Sequence, residues 1–89
     1  MKKHDYQRLQ EVILQVVQTQ IREGTPSETG KTFARLLKKG HGREEALNLI
    51  GHIVALEVLG VYGKGRQFDE ERYVAALKKL PELPARPEE

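Results

Sequence analysis

The stretch Ala46-Leu47-Asn48-Leu49-Ile50-Gly51-His52-Ile53-Val54-Ala55-Leu56-Glu57-Val58-Leu59-Gly60-Val61 carries the densest run of apolar side chains in the chain. At 3.6 residues per turn, Ala46, Leu47, Leu49, Ile50, Ile53, Val54, Leu56 and Val58 cover more than half the circumference of a helix. That predicts a central helix packed on several sides. Glu57 falls in the middle of the apolar arc. A carboxylate there needs a partner or a raised pKa, because an ionised group is costly to bury alone. Gln20, Tyr62 or Tyr73 as hydrogen-bonding groups, or Arg72 as counter-ion, are the candidates.

On the N-terminal side, Tyr6, Leu9, Val12, Ile13, Val16, Val17 and Ile21 recur at helical spacing and predict a helix over 5–23 with these residues inward. Asp5 caps its start and a left-handed Gly24 ends it. Gln20 lies inside this arc as the counterpart of Glu57, and the two form a candidate buried polar pair. Thr25-Pro26-Ser27-Glu28 then reads as a start signal, with Thr25 as N-cap, Pro26 at the first helical position and Glu28 closing a capping box. The second helix is expected over 26–39, with Phe33, Leu36 and Leu37 inward, Gly30 weakening its first turns and Gly40 stopping it. His41 and Gly42 make a corner.

The third helix spans 43–60 on this reading. Gly63 and Gly65 mark a loop, and a fourth helix follows over 69–80. Asp69 is its cap, a Phe68–Tyr73 contact staples its entry, and Tyr73, Val74, Leu77 and Leu80 face inward. Pro81, Pro84 and Pro87 predict an extended tail over 81–89. The fold class is therefore all-α, a compact four-helix domain over 1–80, with no strand pattern or internal repeat.

Eighty-nine residues suit one domain. A domain of this size buries only about 60–65% of the surface its unfolded chain exposes, so a partner subunit matters to it. Cysteine is absent, which removes disulfides and thiolate metal sites and suits a reducing cytoplasm. No apolar run reaches a membrane span, and the chain reads as cytoplasmic and unprocessed. Fifteen basic residues stand against 13 acidic ones, with a formal net charge of +2 and an isoelectric point near 9.0. The balance does not by itself call for nucleic acid.

Several local patterns invite a site. Gly30-Lys31-Thr32 ends like a phosphate-binding loop, but Thr25 stands where that motif needs glycine, and a helix precedes it where the motif needs a strand. Lys31, Arg35, Lys38, Lys39 and Arg43 make a basic strip suited to phosphates. The corner after it faintly resembles a helix-turn-helix, although His41 occupies an apolar turn position and the next helix is too hydrophobic for a groove. The stretch Leu36 to Leu47 also has the look of a ubiquitin-associated module, to which the long first helix does not belong. The Gly60–Arg66 loop offers backbone amides and two cations to an anion. Glu45, Asn48 and His52 share one narrow face of the third helix, opposite Glu11, Gln15 or Gln18 of the first, as ligands of a metal site within a bundle would. Glu57 as a catalytic base lacks a nucleophile or second carboxylate beside it.

Gln20-Ile21, Leu36 and Leu37 before Gly40, Arg43 with Ala46, Ile50-Gly51, Glu57, and Tyr73 with Leu77 together resemble an uncharacterised bacterial family of small all-helical domains, some attached to SEC-C-type metal-binding tails. The resemblance runs from about Ile13 to Leu80. It implies a helical fold and no established activity. It also implies that relatives place His at the positions of Leu14, Glu45 and Asn48 and Glu at that of Gln18, a metal-binding set that this chain departs from at all four.

The expected function is that of a non-catalytic interaction or scaffold module. It would bind a protein partner, or a second copy as a homodimer, through apolar surface on the first or third helix. Glu45, His52 and the basic strip would shape the rim. Nucleic-acid binding through the basic strip is the alternative, and a degenerate metal-binding bundle the third reading. No catalytic, metal-ligating or cofactor-binding residue is assigned, and no cofactor or membrane is expected.

Overall fold

The computed structural model describes residues 3–58 and 69–84, which form α1 (Lys3–Glu23), α2 (Ser27–Lys38), α3 (Arg43–Val58) and α4 (Glu70–Lys79). This is the all-α, four-helix architecture expected. The inward placement of Tyr6 and Val58, the Phe68 staple, Tyr62, the Gly60–Arg66 loop and the end of the proline-rich tail lie outside the described residues.

The helix ends follow local chemistry. Gly24 takes φ +69 and its amide donates to the carbonyl of Gln20, closing α1. Gly40 takes φ +104, and the amides of Gly40 and His41 donate to the carbonyls of Leu37 and Leu36, the paired bonds that close a helix behind a left-handed residue. Asp69 caps α4, its carboxylate accepting from the Arg72 amide at 3.1 Å.

Two starts differ from expectation. The helical backbone of α1 begins at Lys3, ahead of Asp5, so Asp5 is not its cap; no Gly, Pro or β-branched residue interrupts Lys3-His4-Asp5. At α2 the N-cap is Pro26 rather than Thr25. Pro26 is extended, with ψ 151, so the helix starts after it and no side chain caps the end. Its carbonyl still accepts from the Thr29 amide.

α3 is the centre of the molecule. It packs on α1, α2 and α4, and α2 likewise touches all three other helices, while among the described residues the backbones of α1 and α4 stay apart and the two helices meet through side chains. Ala46, Leu47, Ile50, Ile53, Val54 and Leu56 of α3 are buried together with Val17, Leu36, Tyr73, Leu77 and Leu80. Two side chains expected inward are not. Val12 is 48% exposed and Leu37 39% exposed. The buried line of α2 runs through Thr29, Thr32 and Leu36, and Leu37 lies one residue, about 100°, off that line. On α1 the buried line passes through Val17, leaving Val12 on its shoulder.

Gly51 sets how closely α1 approaches α3. A Cβ at this buried position would meet Ile13 Cγ2 at 3.1 Å, closer than side chains normally pack. Replacing Gly51 with Leu should force the two helices apart and cost about 1–3 kcal/mol of stability, measured by urea unfolding; an unchanged midpoint would show that the approach is not constrained there.

Candidate functional site

Three of the polar residues singled out in the sequence, Glu57, Gln20 and Arg35, anchor three separate assemblies. Gln20 and Glu57 are each engaged by other groups, and Gln20 is only half-buried, so they do not form the buried pair that their places in the apolar arcs suggested. Glu57 is 4% exposed and receives three donors: Arg72 Nε at 2.7 Å on Oε2, Arg72 Nη2 on Oε1, and the Asp69 amide at 3.1 Å on Oε1. The two-pronged guanidinium contact neutralises the carboxylate inside the core, and the amide adds the N-terminal end of α4. Of the partners open to Glu57, Arg72 is the one used.

Gln20 belongs to a separate network. Its side-chain oxygen accepts from the Thr29 hydroxyl at 2.8 Å and from the Tyr73 hydroxyl at 2.7 Å. This carboxamide bridges α1, α2 and α4 through a network whose members Thr29 and Tyr73 are fully buried. Burial pushes the Tyr73 phenol above its ordinary value of 10.0, while hydrogen bonds to Thr29 and Gln20 act in the opposite direction.

Arg35 is the third polar anchor. Its guanidinium donates to the carbonyls of Leu80 at 2.8 Å and Leu77 at 3.0 Å, at the C-terminal end of α4. The orphan carbonyls of a helix end are thereby satisfied, and the cation sits where the helix dipole is negative. Arg43, the last member of the basic strip, places its guanidinium over the Phe33 ring, 5.6 Å from the centroid. Lys31, Lys38 and Lys39 remain exposed. The expected strip is therefore divided: Arg35 serves the fold, Arg43 stacks on an aromatic ring, and three lysines face solvent.

The face expected of Glu45, Asn48 and His52 is also exposed. Glu45 contacts His41 Nδ1 at 3.2 Å rather than His52. Among the described residues, no three His, Asp or Glu side chains converge closely enough to hold a metal ion. Asn48 and His52 instead form one rim of an open groove of about 410 Å³ between α1 and α3. Gln10 stands on the α1 side, and Leu9, Ile13, Leu14 and Ala55 supply the apolar lining around Gly51. Of the four positions at which the family resemblance implied metal ligands, Leu14 and Asn48 line this groove; Gln18 and Glu45 do not.

Sequence reasoning missed Thr29 and Thr32 as buried residues and Arg35 as a helix cap. The spacing of Thr29, Thr32 and Leu36 carried a signal for a buried line on α2, but their hydroxyls masked it. No family model, curated protein or solved structure matches the chain. No helix among the described residues is long and apolar enough to cross a membrane.

Two outcomes follow from these assemblies. Arg72→Ala strands the Glu57 carboxylate in the core and should cost about 3 kcal/mol, whereas Glu57→Leu combined with Arg72→Leu should cost less than that single change; equal losses in chemical denaturation would show that the pair is not a buried unit. Folding raises the Tyr73 pKa, so the folded chain holds that proton more tightly than the unfolded one. The network's stabilisation is fully present below the unfolded value of 10.0 and is lost as pH rises through the higher folded value. Tyr73→Phe should remove about 1 kcal/mol at neutral pH and flatten this alkaline loss, as read from unfolding midpoints across the pH range.

Proposed function

We propose that this chain is a non-catalytic protein-interaction domain whose groove between α1 and α3 takes an apolar helical segment of a partner protein. The observation that carries this reading is the groove's composition: an apolar lining from Leu9, Ile13, Leu14 and Ala55, with a polar rim from Gln10, Asn48 and His52. Such a surface suits burial of a few apolar anchors on one face of a helix, with rim groups making hydrogen bonds around them. The walls are helices held on a packed core, so little ordering entropy opposes binding.

The same features weigh against the other classes. The groove holds no carboxylate pair or activated nucleophile, and the most deeply buried acid, Glu57, is spent on Arg72 and the end of α4. Nucleic-acid binding would rest on Lys31, Lys38, Lys39 and the exposed Arg43, since the Arg35 guanidinium is held by carbonyls of α4. Arginine forks are the groups that recognise phosphate by paired hydrogen bonds, so the engagement of Arg35 weakens that alternative.

Ala55→Arg fills the groove and Leu14→Glu places a charge on its wall; both positions are partly accessible, and circular dichroism identifies which variants remain folded. Immobilised native chain is expected to retain a protein from extracts of the cells that make it, and both folded variants to lose that protein. Identical retention by all three chains, or retention of nothing, counts against the groove.

A further inference from the structure

A different face of α1 carries its own message. Arg8, Val12, Gln15, Val16, Thr19 and Glu23 lie along one side of this helix. Val12 is 48% exposed, Val16 and Thr19 are half-buried, and Arg8, Gln15 and Glu23 are exposed. A shallow groove runs along the middle of the face, past Val12, Gln15, Val16 and Thr19. Neither Arg8 nor Glu23 forms an ion pair with another described residue.

The order of these residues is symmetric about the point between Gln15 and Val16. Arg8 and Glu23 are equally distant from it on either side, and so are Val12 and Thr19. A two-fold axis through that point, perpendicular to the helix, therefore sets Arg8 of one copy against Glu23 of a second, and the reverse. It also layers Val12 on Thr19 of the second copy and Gln15 on Val16. Opposite charges meet at both ends, and between them each valine packs on a polar side chain of the second copy, Val12 on Thr19 and Val16 on Gln15. The antiparallel arrangement also opposes the two helix dipoles.

We infer that the occupant of this face is a second copy of the chain, docked through an antiparallel α1–α1 contact with paired Arg8–Glu23 ion pairs. The contact is isologous, the commonest form of homodimer interface. It uses the shoulder of α1 turned away from the α1–α3 groove, so it stands or falls independently of what that groove binds.

Sedimentation velocity over a range of concentrations reads the association directly. The native chain is expected to dimerise reversibly. Val12→Glu should abolish the dimer, and Arg8→Glu or Glu23→Arg alone should weaken it by about tenfold or more through two like-charge contacts. An equimolar mixture of the two charge variants should recover association, because each mixed pair then has opposite charges at both ends. Absence of cysteine allows an independent test of direction. Gln15→Cys should crosslink to itself under oxidation, since the two copies of residue 15 lie near the axis, whereas Glu23→Cys should not, its two copies being separated by about 22 Å along the helices. A monomer at all concentrations, a dimer indifferent to the charge variants, or crosslinking through Glu23→Cys overturns the inference.

Discussion

The carboxylate of Glu57 is the constraint around which the helices are arranged. It sits on the most apolar helix of the chain, where an unpaired charge would be untenable, and its partners all come from the start of α4. Because the guanidinium of Arg72 and the amide of Asp69 must reach one buried group, the entry of α4 onto α3 is fixed in position and rotation. Once α4 is placed, Tyr73, Leu77 and Leu80 follow into the core.

Each of the other helices repeats the device with different chemistry. α1 offers the Gln20 carboxamide to the Tyr73 hydroxyl, and α2 offers the Arg35 guanidinium to the last carbonyls of α4. The acid lies at the N-terminal end of α4 and the base at its C-terminal end, as the helix dipole favours. A ten-residue helix is marginal by itself. Here it is held by one polar side chain from each neighbour as well as by its apolar stripe. Polar contacts of this kind add selectivity that apolar packing lacks, since each demands a particular atom at a particular distance. Glu57, Gln20 and Arg35, three of the polar residues singled out in the sequence, are thus engaged in holding α4.

Some of this was legible in the residues. The glycines that end α1 and α2 and the Asp69 cap act within a few residues of themselves, so composition and spacing located them. Burial of Glu57 followed from its place in the apolar arc, and Arg72 stood among its candidate partners. Leu37 against Thr29 and Thr32 shows the opposite case. Hydrophobicity favours leucine inside, but α2 turns its threonine line inward because Gln20 and Tyr73 meet Thr29 there and satisfy its hydroxyl. Arg35 likewise reads as one cation in a periodic strip; its acceptors are 42 and 45 residues away in the chain.

Sequence by itself determined that this protein is helical, where glycine and Asp69 bound its helices, and which helix is central, because capping, glycine conformation and apolar periodicity are properties of neighbouring residues. Tertiary structure alone decided which polar groups meet, which shoulder of α1 stays uncovered and how the α1–α3 groove opens. Those outcomes depend on the rotation of each helix about its axis. That rotation is set by contacts between residues far apart in the chain, where local pattern carries no information.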